Sequence, residues 1–252
     1  MKSKWVSRDK KYIIEKKYHT WRYHSEKSKR EKRSPKEKVT SEKQEKRNRE
    51  LRKEKLIMLA LDNFHMGDSY LTITCRDRLP PEVLKAEFEK FKRKLRTIFR
   101  KRGKELKYIS VLENAAKGKR GRPHGHILVP GIPQEDMAAV IAAWPHGHVK
   151  FSVYKGALSD ATNLMSYFVK EEIDRETGSG RVMPSRNLIR RKPKKETVTR
   201  ADSYRDNMKP PKGYHLLPHL SCNTFTEDGY PLQIAYFERD EQFGKRRRGT
   251  VE

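Results

Sequence analysis

Two histidines separated by one residue, His124-Gly125-His126, are the feature of this sequence with the clearest chemical content. They sit in Arg122-Pro123-His124-Gly125-His126-Ile127-Leu128-Val129, whose aliphatic, β-branched end reads as a strand. Residues i and i+2 of a strand face the same side with Cα atoms roughly 6–7 Å apart, a gap that two imidazoles can close onto one cation. A bare His-x-His is more often structural than ligating, so the pair needs further members. Glu113 supplies a carboxylate, because it ends the strand that precedes the pair across a Gly/Lys-rich loop, Lys117-Gly118-Lys119-Arg120-Gly121, in the manner of a hairpin. A His/His/Glu set suits Mg²⁺ or Mn²⁺ acting as a Lewis acid on phosphate, and it would also suit Zn²⁺. Tyr167 supplies a hydroxyl. In Asn163-Leu164-Met165-Ser166-Tyr167-Phe168-Val169-Lys170-Glu171, helical spacing separates an apolar face, Leu164 and Phe168, from a polar stripe of Asn163, Tyr167, Lys170 and Glu171. A phenol with an ordinary pKa near ~10 is a weak nucleophile at neutral pH, and a polarised phosphate with a nearby ammonium, here Lys170, would favour its attack.

Elements must hold these groups, and the chain between Asp68 and about Glu172 provides them. A helical pattern builds from Ser41 through Leu51, Met58 and Leu59 to Phe64, and Gly67-Asp68 turns it off. Tyr70–Cys75 alternates as a strand, and Pro80-Pro81 opens a helix that runs to Arg102, with Gly103 as its stop. Strands follow at Lys107–Leu112 and Arg122–Val129, then a helix over Pro133–Ala143, a strand over Gly147–Val153 and a helix over Asp160–Glu172. The order β-α-β-β-α-β-α predicts an α+β fold in which a central, largely antiparallel sheet of about four strands, with room for a fifth, is flanked by helices.

The charge lies mostly outside this region. The chain has 252 residues with a formal net charge of +26, and residues 1–55 alone carry 22 Lys and Arg against 9 Asp and Glu. Such an excess fits a polyanion, because each cation set against a phosphate releases condensed counterions. Three regions are therefore expected: a basic amino-terminal arm over 1–55, solvated and then helical; a compact domain over 56–190; and a basic extension over 191–252 in which Tyr214–Tyr236 adds a strand or packs across the domain. Cys75 and Cys222 form no paired motif, which speaks against a disulfide framework or a thiolate zinc site. No apolar run has the length of a membrane span and the amino terminus lacks a leader's apolar stretch, so a cytoplasmic or nucleoid protein without a membrane partner is expected. A nucleotide-driven motor is not expected, since no Gly-x-x-x-x-Gly-Lys-Ser/Thr loop is present.

As an ordered set, these motifs resemble the rolling-circle replication initiators of the HUH endonuclease superfamily, especially the single-tyrosine replication proteins of bacterial phages and plasmids. The first family motif resembles Asn63 to Thr74, the metal motif Gly121 to Val129 preceded by Glu113, and the helical Tyr-x-x-Lys motif Tyr167 to Lys170. Ser185-Arg186-Asn187-Leu188 looks like the serine-asparagine-leucine element that follows that helix. One departure is Gly125, where the family usually carries a bulky apolar residue. The resemblance covers about residues 41–190. It implies a sheet-centred palm related to RNA-recognition folds, with His124, His126 and Glu113 as metal ligands. It also implies Tyr167 as nucleophile with Lys170 beside it, and sequence-specific nicking and rejoining of single-stranded or hairpin origin DNA through a 5′-phosphotyrosine. A host helicase and replication machinery would be needed as partners. Lys117, Lys119, Arg120 and Arg122 are expected to hold backbone phosphates without reading sequence.

Two other readings stand beside it: a single-tyrosine HUH transposase, with the same metal and helix logic, and a nonenzymatic basic DNA-binding protein. The second His-x-His, His146-Gly147-His148, follows Pro145 in a turn and has no acid close by in sequence, so a structural or DNA-contacting role is expected there. His215 and His219 are interrupted by Pro218.

Overall fold

A computed structural model describes residues 1–20, 41–113, 123–170, 182–198 and 204–241. The chain is α+β, and it divides into two compact units, one of Asn48–Arg190 and one of Met1–Arg47 with Arg191–Glu252. In chain order the elements are β1 (Lys2–Val6), β2 (Tyr12–Tyr18), α1 (Glu42–Asn63), β3 (Ser69–Cys75), α2 (Pro81–Lys101), β4 (Ile109–Glu113), β5 (His124–Val129), α3 (Gln134–Ala142), β6 (Gly147–Val153), α4 (Leu158–Lys170), β7 (Met183–Pro184), β8 (Lys194–Glu196), β9 (Tyr214–Leu216), β10 (Cys222–Phe225) and β11 (Pro231–Arg239).

The Asn48–Arg190 unit is built on a five-stranded antiparallel sheet in the order β6-β3-β5-β4-β7. Alternation along β3 explains how it works. Leu71, Ile73 and Cys75 point to one face, where Leu84, Phe88, Phe91, Leu95 and Phe99 of α2 and Val140 of α3 close a core. Each of these large side chains contributes about 1.5–3 kcal/mol by leaving water, so α2 is clamped to that face. Helix α2 starts at a proline that needs no amide partner and ends before Gly103, whose φ of +67° suits glycine. Tyr70, Thr72 and Thr74 take the opposite face of β3. The last two turns of α1, Leu56 to Asn63, are buried, and Asn63 donates to the Leu59 and Ile189 carbonyls while accepting from the Ile189 amide. Asp68 secures the start of β3: Oδ2 accepts from the His65 amide and Oδ1 from the Gly131 amide.

The other unit differs from the arm and extension read in the sequence. Its segments form a six-stranded sheet in the order β10-β11-β2-β1-β8, with β9 also on β11. β2 and β11 pair from Tyr12–Glu238 to Tyr18–Leu232, and Ile13, Ala235 and Phe237 form a small core with Val6, Met208, Tyr214 and Leu216 around it. Lysines obscure these strands in the sequence. In β1 and β2 they alternate with Trp5, Val6, Ile13 and Ile14, and the partner strand lies more than 200 residues along the chain, where no local pattern can reveal it.

Candidate metal centre

The register of the five-stranded sheet brings the chemistry together. Glu113 is opposite His124 on adjacent strands, Val111 and Thr72 flank His126, and Thr74 lies opposite His124 on the far side. These side chains emerge on the face that α2 does not cover. Gly125 points the other way: a Cβ there would meet Ile73 Cγ1, Leu112 Cδ2 and Phe88 Cε2, each at 3.1 Å. The space a bulky residue would take between the histidines is filled from above by Phe88 of α2, so the site keeps its support through a different side chain.

Glu113, His124 and His126 offer three ligand atoms within 4.8 Å of one another. His124 Nε2 is 3.0 Å from Glu113 Oε2, and His126 Nε2 is 3.2 Å from Glu113 Oε1. Glu113 is only 4 % exposed, and its Oε1 is a buried oxygen that makes no hydrogen bond among the described residues, because the approach of His126 is close but badly angled. A buried carboxylate oxygen without a donor is costly unless a cation faces it, so the residues fit a metal ion. Two imidazoles and a carboxylate leave coordination positions open for oxygen ligands.

The electrostatics favour ligand-competent forms. Burial holds the His126 imidazole down at about 4, partly opposed by the Glu113 charge and helped by His124, so it is neutral at physiological pH and keeps a lone pair. Burial pushes the Glu113 carboxyl up, but hydrogen bonds from His124 and Tyr167 and the nearby imidazoles outweigh it, and the net displacement is downward, toward carboxylate.

Tyr167 reaches the same place from α4. Leu158, Ala161, Met165, Phe168 and Val169 are buried, which turns Tyr167, 38 % exposed, toward the triad. Its hydroxyl donates to Glu113 Oε2 at 2.8 Å and lies 3.3 Å from His126 Nε2, with its ring edge-on to His126 at 5.3 Å. A carboxylate, two imidazoles and a phenol from β4, β5 and α4 thus meet on one sheet face.

The stretch carrying all four groups is also the stretch with a counterpart among known proteins. Residues 68–172 match the family of the replication-associated protein ORF2. The match spans Glu113, His124, His126, Tyr167 and Lys170. Among solved structures, the chain is similar to the hypothetical protein ORF119 from Sulfolobus islandicus rod-shaped virus 1, at 19% identity and a TM-score of 0.35, over 49% of this chain and 96% of that one. No curated protein matches the chain. Among the described residues, no helix is long and apolar enough to cross a membrane.

Other residues singled out in the sequence fall as follows. Lys170 is the last residue of α4, and its side chain lies outside the described set, as do Lys117, Lys119, Arg120 and Arg122. His146 is bonded to Glu87 of α2, Nε2 to Oε2 at 3.0 Å, an acid distant in sequence, while His148 is exposed on β6. Ser185 and Asn187 have structural partners: the Tyr108 amide donates to Ser185 Oγ, and Asn187 Nδ2 donates to the Leu106 carbonyl, fixing the chain just before β4. His215 pairs with Asp240.

Sequence reasoning missed two residues. Tyr70 Oη lies 2.7 Å and Thr72 Oγ1 3.1 Å from His126 Nδ1. Burial, outweighing a hydrogen bond from Thr72 and aided by Glu113, raises the Tyr70 phenol well above its ordinary value, so it stays protonated. Alternation already put both on one face of β3; what was missing was that β3 pairs with β5 in this register. The same face continues to the sheet edge, where His148 and Lys150 on β6 oppose Thr74 and Thr72, and Arg76 follows Thr74 at i+2. All three are exposed.

Proposed function

We propose that this protein is a sequence-specific single-strand DNA endonuclease and strand transferase that initiates rolling-circle replication of a phage or plasmid, with Tyr167 as nucleophile. The observation that carries the reading is the convergence of the Tyr167 hydroxyl on Glu113 at 2.8 Å, inside a His/His/Glu set that fits a metal. The match to the replication-associated protein family over residues 68–172 supports it, and the net charge of +26 supports a DNA partner. In this reading residues 56–190 are the nuclease domain, and the segments 1–55 and 191–252 are extensions serving it.

Glu113, His124 and His126 would hold Mg²⁺ or Mn²⁺, which would polarise the scissile phosphate. The side chains do the rest. Glu113 Oε2 holds the Tyr167 hydroxyl by its proton and so aims the oxygen into the site. Attack forms the Tyr167 Oη–phosphorus bond and breaks the bond to the 3′ oxygen; the proton lost by tyrosine is balanced by the one the leaving 3′ oxygen gains. A 5′-phosphotyrosine and a free 3′-hydroxyl result, and reversal rejoins the strand. Only unpaired DNA can bring its backbone to both the triad and Tyr167. The open sheet face bearing Thr74, Arg76, His148 and Lys150 gives that strand a polar, cationic bed beside the site.

The test is incubation of the protein with labelled single strands tiling the origin of its replicon, with Mn²⁺. The expected result is a covalent protein–DNA adduct on one strand and position, abolished by chelator. Absence of any adduct across the whole origin, from a preparation that binds the same DNA, would leave the nonenzymatic binding reading in its place.

A further inference from the structure

We propose that Tyr70 and Thr72 are positioning residues that fix the ring and tautomer of His126, so that Nε2 is presented to the metal with its lone pair free. The inference rests on the metal-site reading above and adds two residues to it.

A neutral imidazole carries one N–H, and only the tautomer protonated on Nδ1 leaves Nε2 able to ligate. In this protein Nδ1 faces two hydroxyls, Tyr70 Oη at 2.7 Å and Thr72 Oγ1 at 3.1 Å. Either oxygen can accept the Nδ1 hydrogen. Nε2 faces the carboxylate, and here geometry separates the tautomers. A hydrogen on Nε2 would have Glu113 Oε1 only 3.2 Å away, yet that oxygen makes no hydrogen bond among the described residues. The arrangement therefore satisfies Nδ1 as a donor and leaves the Nε2–Oε1 gap as a ligand pair awaiting a cation. Partners of this kind, on the far nitrogen of a ligating histidine, set both its orientation and its basicity.

Ring orientation is fixed from several sides. The Tyr70 and His126 rings are nearly parallel, 4° apart in plane with centroids at 5.5 Å, and Phe168 packs on the same imidazole at 6.3 Å. His126 is 6 % exposed, so rotation of the ring would cost packing as well as hydrogen bonds. Backbone pairing supplies the register that makes this possible: Thr72 is directly opposite His126, and Tyr70 lies two residues along on the same face.

Tyr70→Phe and Thr72→Val remove one hydroxyl each with little change in shape, and Thr72→Ser restores the second. The experiment is Mn²⁺ binding by isothermal titration to each purified full-length variant. Alongside it, ¹⁵N imidazole spectra of the metal-free proteins read the tautomer, with the His126 signals assigned by their loss in His126→Gln. The expected result is Nδ1–H in the wild type, a mixture in Tyr70→Phe, and Mn²⁺ affinity lowered about 10–100-fold in Tyr70→Phe and measurably in Thr72→Val, with Thr72→Ser near wild type. Single-strand DNA binding in chelator should not change, which separates loss of positioning from loss of fold. If Tyr70→Phe fails to fold, the Thr72→Val and Thr72→Ser pair decides. Mn²⁺ affinity within about twofold of wild type in both Tyr70→Phe and Thr72→Val, or a wild-type proton on Nε2, overturns the proposal while leaving the metal site standing. A wild type that binds no Mn²⁺ overturns the metal site and the positioning role together.

Discussion

Lowering the pH of the metal-free protein should cost stability between pH 6.5 and about 4, with His126 as the group chiefly responsible. Its ordinary value of 6.5 is held down at about 4 in the folded chain, by burial first and by His124, against the opposing Glu113 charge. Between those two values the unfolded chain binds a proton at this position and the folded chain does not, so unfolding takes up protons and stability falls as pH falls. Each unit of displacement corresponds to about 1.4 kcal/mol, so His126 accounts for at most about 3 kcal/mol across the window. Glu113 extends the trend to lower pH. Its folded value lies below the ordinary 4.5, so the stability it contributes is present above that value and is lost as pH drops through the folded one. The assay is urea unfolding in chelator at pH 7.5, 6.5, 5.5 and 4.5, on wild type and His126→Gln. Wild type should lose most of the predicted amount by pH 4.5, and His126→Gln should show a much flatter dependence. Equal slopes in the two proteins, or a wild type that gains stability on acidification, would refute the reasoning that His126 is buried neutral.

Three further outcomes follow from the same geometry. Gly125→Val should destabilise by about 1–3 kcal/mol in thermal melts, because even a Cβ meets Ile73, Leu112 and Phe88 at 3.1 Å; adding Phe88→Leu should recover part of the loss. Replacing Lys117, Lys119, Arg120 and Arg122 together with glutamine should lower the magnitude of the log-affinity against log-salt slope for single-stranded DNA by about 3, read by anisotropy. Lys150→Ala with Arg76→Ala should weaken single-strand binding in chelator and raise KM for nicking more than it lowers kcat, since these side chains lie beside the triad rather than in it.

The domain that carries the site was legible from local patterns because its elements advertise themselves. Gly147–Val153 has the same ends in the sequence reading and in β6, and the apolar spacing from Leu84 to Phe99 marked α2 because one face of that helix is buried throughout. The triad was legible for a related reason: His124 and His126 share a strand and Glu113 ends its hairpin partner, so two short-range rules bring the three together. Tyr70 and Thr72 were not, since their contact with His126 depends on β3 pairing with β5 across more than fifty residues. The same limit hid the second sheet. Trp5, Ile13 and Ile14 sit among lysines, and what makes them strands is β11 at the other end of the chain. The acid that pairs with His146 was invisible too, because Glu87 reaches it from a helix nearly sixty residues away. At Gly125 the sequence reading expected missing support beneath the metal ligands, and the structure supplies it from Phe88.

The central claim is that Tyr167, held by Glu113 beside the two histidines, is the residue that becomes joined to DNA. The most direct measurement is mass spectrometry of the protein after reaction with its single-stranded origin and Mn²⁺, followed by nuclease trimming and proteolysis. The predicted result is a 5′-linked nucleotide on the peptide containing Tyr167 and none in Tyr167→Phe. A nucleotide on any other residue, or an adduct that persists in Tyr167→Phe, would contradict it.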